Sequence, residues 1–525
     1  MKSALISRRV CSIRQKIRGV NIMGYYIGID LGTSAVKMLL MDANGDIIKS
    51  IAKEYPIYFP QNGWSEQDPQ DWWNAVKAGI QEITAFCDKS NIKGISFGGQ
   101  MHGLVMLDEN DKIIRPAILW NDGRSAKQCK YLNNEIGKKK LTEYTANIAF
   151  AGFTAPKILW VKENEPENFA KILWVRENEP ENFKRIKKIM LPKDYIAYKM
   201  TGIHSTDYSD ASGMLLLDVK NKCWSKEMLK ICGIDESVMP KLFESYDVIG
   251  VLKSEVAKEL GFSSDSVKVI AGAGDNAAAA VGTGAVGNGK CNISLGTSGT
   301  VFITQNNFSV DSNNALHSFA HADGKYHLMG CMLSAASCNK WWLENIVGTK
   351  DYAESQADIK QLGENKVFFL PYLMGERSPH NDPDVRGMFI GMSMDTTRND
   401  MTQAVLEGVA FAIRDCIEIA RALGIEIKRS TICGGGAKSQ LWCKIMANVL
   451  NMDIITMEKE EGPAFGAAIL ASVGCGEYKD VCEASNKIAK LNKIYKPNGE
   501  LVKKYEIAYK RFKEIYPAMK LWFKN

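Results

Sequence analysis

Two aspartates and three glycine turns hold the reactive chemistry of this chain. Asp275 closes the run Gly272-Ala273-Gly274-Asp275-Asn276, between an apolar stretch at 267–271 and a small-residue helix at 277–280. A helix N-terminus favours an ionised carboxylate, and an ionised, reachable carboxylate is what a general base needs. A capping role also accounts for an Asp at this place, and the two roles are compatible. Asp30 heads the stretch Asp-Leu-Gly-Thr-Ser-Ala-Val-Lys, residues 30–37. Gly32 permits a sharp turn, and Thr33 and Ser34 add hydroxyls and backbone N–H groups that can converge on an anion. An acid beside such a turn can hold hydrated Mg²⁺ that bridges phosphates.

The Leu-Gly-Thr-Ser turn occurs twice. Residues 290–304 overlay 26–40 at an offset of 264, with Ser294 where the first copy has Asp30 and with Gly296, Thr297 and Ser298 repeating Gly32, Thr33 and Ser34. Two halves with the same phosphate-type hairpin point to two related domains, only one of which has the acid. A third turn, Gly434-Gly435-Gly436-Ala437-Lys438-Ser439, joins a strand at 430–433 to a helix at 440–450 and leaves room for a flat ring or sugar against bare backbone. It is not Gly-x-Gly-x-x-Gly, and no strand-to-helix Gly-x-x-x-x-Gly-Lys-Ser/Thr loop occurs, so dinucleotide and P-loop chemistry are set aside.

Two further groups lie at strand ends. Gln100 and His102 follow Gly98-Gly99 after a strand at 92–97, where they can hydrogen-bond hydroxyls. Asp122 and Arg124, two apart after the apolar run 117–119, can clamp hydroxyls or form a surface ion pair.

The elements that must position these groups alternate strand and helix. Asn44-Gly45 between apolar runs at 36–42 and 47–55 reads as a hairpin. Asp68-Pro69 reads as the start of a helix over 72–86. Residues 501–523 read as an amphipathic helix with Tyr505, Tyr509, Phe512 and Tyr516 on one side. Residues 157–170 and 171–184 are a tandem repeat that differs only at Lys162/Arg176 and Ala170/Lys184, expected as a local duplication tolerated at the surface, with one copy packing natively and the other bulging out. The polar run 206–213 reads as simple turn chemistry.

At 525 residues the chain has room for two to four domains and an ample core. Its net charge of +6 sits in residues 1–22, which hold six basic residues and no acid; the remainder balances 60 basic against 60 acidic residues. A neutral body argues against a nucleic-acid partner. The basic segment reads as a disordered leader or an upstream start before Met23, with a transit peptide as the other reading. No run of 18 apolar residues exists, so no membrane span is expected. The 13 cysteines form no C-x-x-C pair and read as reduced core thiols of a cytoplasmic protein.

Taken together these stretches resemble the FGGY family of carbohydrate kinases over about residues 24–515. One family signature matches residues 152–164, around Phe-Thr-Ala-Pro-Lys-Ile-Leu-Trp-Val-Lys. The other matches 387–412, with Gly-Met-Phe-Ile-Gly-Met and Leu-Glu-Gly-Val-Ala-Phe-Ala. The resemblance implies an α/β fold of two actin-like, ribonuclease H-like domains with an interdomain cleft, divided here as 23–268 and 269–525. It implies Asp30 as the metal-associated acid, Gly32–Ser34 with Lys37 and 296–298 as phosphate loops, and 434–438 as the adenosine loop. It implies Met101 and His102 as sugar ligands and Asp275, followed by Asn276, as proton acceptor; Gln100, Asp122 and Arg124 join the candidate sugar ligands by their own positions at strand ends. Asp275-Asn276 favours a ketopentose over glycerol. The implied reaction is transfer from MgATP to the 5-hydroxyl of D-xylulose, with other ketose or polyol kinases and a non-catalytic sugar sensor as alternatives, and with a homodimer as the family's assembly.

Overall fold

The computed structural model describes residues 24–165, 186–262, 266–459 and 461–524. The leader and the whole second repeat copy lie outside them. Contacts divide the chain into two units. The first runs to Gly282 and takes in Phe319–Gly324 and Glu461–Ile488; the second holds Thr283–Ser318, Lys325–Glu460 and Ala489–Asn525.

In the first unit the apolar run Tyr25–Leu31 forms a buried central strand, β1. It pairs antiparallel with β2 (Ala35–Asp42), which pairs with β3 (Ile47–Glu54). The turn between β2 and β3 is fixed by Asp42, whose Oδ1 accepts from the backbone N–H groups of Asn44 and Asp46. On its other side β1 pairs in parallel with β4 (Ile92–Gly99); β5 (Val248–Val251) is the edge strand, joined to β4 through β6 (Lys268–Ile270), with the short β7 (Ala273–Gly274) also beside β4. Continuous apolar runs suit strands covered on both faces. One cover is the helix Pro69–Ile83, capped by Asp68 and burying Trp72, Trp73, Val76 and Ile80. Another is the helix Pro463–Gly474, which is apolar almost all round and meets both β1 and β4.

The second unit repeats this plan. β8 (Cys291–Leu295) and β9 (Gly299–Gln305) form an antiparallel hairpin; β10 (Tyr326–Met332) extends it on one side, and β11 (Arg429–Cys433), β12 (Asp453–Met457) and β13 (Leu491–Tyr495) on the other. The helix Arg398–Ala422, which carries the second signature, packs on this sheet's core. The helix Gly499–Met519 buries Tyr505, Tyr509, Phe512 and Tyr516 in the same core, as its sequence pattern requires.

Two expectations change. The hairpins are duplicates, but their registers differ: Asp30 faces Lys37, whereas Ser294 faces Thr300, so the second turn is one residue tighter. The chain divides after Gly282, not at 268. Ala273–Gly274 pair with Gly98–Gly99, and the helix Asp275–Gly282 packs on the helix Pro463–Gly474. Asp275 therefore belongs with the first unit. Among the described residues no helix is long and apolar enough to cross a membrane.

Candidate active site

Register alone brings the two acids of the first unit to one place. Asp30 at the end of β1 is level with Gly98 of β4, and Gly98 is level with Ala273 of β7. Two residues beyond, Asp275 opens the helix Asp275–Gly282. Burial pushes the Asp30 carboxyl up to about 7, with the charge of Asp275 adding and Lys37 opposing. Burial pushes Asp275 up to about 6, against hydrogen bonds from the backbone and side chain of Asn276, whose N–H and Nδ2 lie 2.7 and 2.9 Å from Oδ1. Lys37 makes a 2.7 Å ion pair with Glu461.

The turn beside Asp30 is held from several directions. Gln67 Nε2 donates to the Thr33 carbonyl at 2.7 Å, Tyr55 O–H donates to the Gly32 carbonyl, and Trp120 Nε1 donates to Thr33 Oγ1 at 2.9 Å. Ser34 is exposed. Trp120 is 45% exposed, so an open indole lies beside the turn.

Met101 and His102 form a corner against the same strands. A Cβ on Gly274 would meet the Met101 Sδ at 3.0 Å, so the thioether lies against the residue that precedes Asp275. His102 has φ 71°, and its Nδ1 is 2.7 Å from the Gly213 carbonyl. A carbonyl only accepts, so Nδ1 carries the proton.

Three further expected sugar ligands are enclosed side chains. Gln100 is buried; its N–H donates to Leu31 O and its amide to Gln67 Oε1, so it supports the turn from behind. Asp122 and Arg124 have side-chain exposures of 0% and 1%. Arg124 Nε and Nη2 donate to the two Asp122 oxygens at 2.9 and 2.7 Å, Nη1 pairs with Glu66 at 2.7 Å, and the guanidinium lies over Trp64, 3.7 Å from its ring centre. The pair is an enclosed strut, an ion pair as in the plainer reading but buried and not at the surface.

The sequence reading missed a buried cluster beneath Asp275. Lys193 is fully enclosed and pairs with Asp194 at 2.7 Å, Asp207 at 2.9 Å and Asp210 at 3.6 Å. Ser209 Oγ donates to Asp207 and accepts from the Gly274 N–H at 3.1 Å, which ties the cluster to the strand that delivers Asp275. The run 206–213 is thus a support, and the signal was its aspartate spacing together with Lys193.

In the second unit Thr297 and Ser298 are exposed at the turn after β8. The carbonyls of Gly296 and Thr297 accept from Ala336 and Ala335 N–H groups at 2.8 and 3.0 Å. Gly434, at φ 90°, lies where a Cβ would be 2.7 Å from the Leu295 carbonyl, so the third turn folds back onto the second. Gly435 and Lys438 are exposed, whereas Gly436 and Ala437 turn inward.

The profile of the FGGY carbohydrate kinases' N-terminal domain matches residues 25–173 and again 169–282, and that of their C-terminal domain matches 291–475. The chain belongs to the FGGY family of carbohydrate kinases. Its two units are that family's actin-like, ribonuclease H-like domains. The N-terminal match breaks and resumes inside the tandem repeat, which marks the extra copy as an insertion in the family pattern. Xylulose kinase of Escherichia coli K12 is 38% identical over 498 residues, covering 94% of this chain and 99% of that one. The crystal structure of a xyloylose kinase from Brucella ovis superposes with TM-score 0.87 at 39% identity, covering 95% of this chain and 100% of that one. A gluconate kinase from Lactobacillus acidophilus has the same TM-score of 0.87 at 28% identity, covering 95% and 98%.

Proposed function

We propose that the chain transfers the γ-phosphoryl group of ATP to the 5-hydroxyl of D-xylulose. The observation that carries this reading is the placement of Asp275, at a helix start beside the Met101–His102 corner and two residues beyond the position level with Asp30. The sugar O–H bond breaks as its oxygen bonds to phosphorus, the proton passes to the Asp275 carboxylate, and the bond from phosphorus to the bridging oxygen breaks to leave ADP. Met101 and His102 orient the ketose. In the first unit the turn Gly32–Ser34, with Lys37, takes the phosphates through the N–H groups of Thr33 and Ser34, the Gly32 N–H being bonded to the Ala35 carbonyl at 3.1 Å. The backbone N–H groups of Gly296, Thr297 and Ser298 take them in the second, and Gly434–Lys438 receive the adenosine.

Two carboxylates that repel each other suit a divalent cation, so the residues fit Mg²⁺, with Asp30 as its protein ligand. Bound there, Mg²⁺ would neutralise charge on the phosphate oxygens. The retention of both acids favours a catalyst over a sugar-binding sensor. The names of the similar proteins support a ketopentose, while the gluconate kinase likeness keeps a sugar acid as the second reading.

The test is a coupled ADP-release assay over D-xylulose, D-ribulose, L-ribulose, glycerol and gluconate, with ³¹P NMR of the product. A kcat/KM for D-xylulose well above every other acceptor is expected. Preference for gluconate, or no release with any acceptor, overturns the reading.

A further inference from the structure

The start of the helix Thr154–Asn164 grips His102 from three directions. Phe153, just before the helix, lies against the imidazole, with ring centres 4.6 Å apart. Thr154 Oγ1 donates to the His102 carbonyl at 3.1 Å. Lys157 Nζ donates to the same carbonyl at 2.9 Å and to the Gly152 carbonyl at 2.8 Å.

Lys157 is an unusual choice for this task. Its side chain is completely buried, and a buried ammonium normally faces a carboxylate. Here its hydrogen bonds go to backbone carbonyls, and burial pulls it down to about 7, with Asp122 opposing and Arg124 adding. The residue it holds is strained. His102 occupies the left-handed region at φ 71°, which a residue with a Cβ adopts only at a cost. Such a conformation persists only when its surroundings over-determine it.

We propose that Lys157 is a positioning residue for the sugar: with Thr154 it locks the His102 peptide in the left-handed conformation and so aims the imidazole at the ketose hydroxyls. The inference rests on the reading that Met101 and His102 contact the acceptor sugar. A lysine that merely filled the core would stabilise the helix and leave the sugar's KM alone.

Three variants separate these roles: Lys157→Met, which keeps the volume and removes the donors, Thr154→Val, and the double variant. Each is measured for KM and kcat with D-xylulose and with ATP, for melting temperature, and for the His102 ring resonances. Losing a charged hydrogen-bond donor is expected to raise the sugar KM roughly 10- to 100-fold in Lys157→Met. Thr154→Val should raise it less, the ATP KM should hold, kcat should stay within about threefold, and the His102 resonances should shift. An unchanged sugar KM with a lowered melting temperature overturns the proposal. So do equal rises in both KM values, or unmoved His102 resonances. The wild-type assay reports separately on the function: if another acceptor proves to be the substrate, its KM becomes the readout, and if none is found, the His102 resonances decide.

Discussion

Asp30 ends β1 and Asp275 directly follows β7, at the same end of one sheet with β4 between them, and the charge of Asp275 disfavours ionisation of Asp30. The register Asp30–Gly98–Ala273 sets them there, and burial with the charge of Asp275 pushes Asp30 up to about 7. One acid is suited to a cation and the other to a proton, although both are the same residue type.

Asp275→Asn should lower kcat by about 10²–10⁴-fold while leaving D-xylulose binding intact. The amide keeps an acceptor oxygen at the helix start but cannot take the proton. Titration calorimetry beside steady-state kinetics checks this, and a retained kcat would remove Asp275 from the base role.

The pH dependence has a definite sign. With carboxyls at about 7 for Asp30 and about 6 for Asp275, both above the ordinary value of 3.8, the folded chain binds protons more tightly than the unfolded one. That contribution to stability is complete below about pH 4 and is lost as pH rises through 6 and 7. Without ligands, Asp30→Asn should therefore raise the melting temperature at pH 8 and leave it nearly unchanged at pH 4. Activity runs the other way: kcat/KM should fall as pH drops through the same window, because both groups act ionised.

Much of this site was legible in the sequence because its signals are local. Leu-Gly-Thr-Ser after an apolar run appears twice, and a strand that ends in Gly-Asp before alanines places an acid at a helix start wherever it occurs. What escaped was the set of side chains joined only by folding. Asp122 and Arg124 look alike as an exposed clamp and as an enclosed pair; Trp64 and Glu66, which decide between these, are more than fifty residues away. Gln100 was read as a ligand because the strand end shows in the sequence and its partner Gln67 does not. The boundary at 268 failed because the segment that holds Asp275 in the first unit, the helix Pro463–Gly474, lies nearly two hundred residues later.

The enclosed pair gives its own prediction. Asp122→Asn leaves Arg124 buried with Glu66 as its remaining charge partner, and breaking such a pair costs about 3–5 kcal/mol. Urea unfolding should show that loss, while the fraction that remains folded keeps its KM for D-xylulose within a few-fold. A large KM change at full stability would return Asp122 to the sugar site.

Gly466→Ala should disable the enzyme through packing alone. A Cβ at Gly466 would lie 1.7 Å from the Ala278 carbonyl, backbone against backbone, so the helices Pro463–Gly474 and Asp275–Gly282 must separate. Overpacking of this kind costs about 1–3 kcal/mol or more. Because Asp275 heads one of those helices, kcat should fall together with the melting temperature. A normal kcat with a lowered melting temperature would mean that the helices part without moving Asp275.

Excision of Lys171–Lys184 should preserve activity. The helix Thr154–Asn164 already uses the first copy: residues 154–161 are all buried, Lys157 reaches His102, and Trp160 meets Trp64 at 5.1 Å between ring centres. One copy is expected to pack natively, and the first half of the first copy is core. Deleting either copy leaves the same lysine and tryptophan after Pro156, with changes only at the two positions where the copies differ. The family profile breaks and resumes at this place, so the shortened chain restores an unbroken pattern. Loop-length changes cost little by themselves, about 0.6 kcal/mol per doubling. The shortened chain should match the full one in D-xylulose turnover and sedimentation, with melting temperatures within a few degrees. A collapse of turnover, or a change in the assembled mass, would mean that the extra copy has been recruited to hold the site or to join subunits.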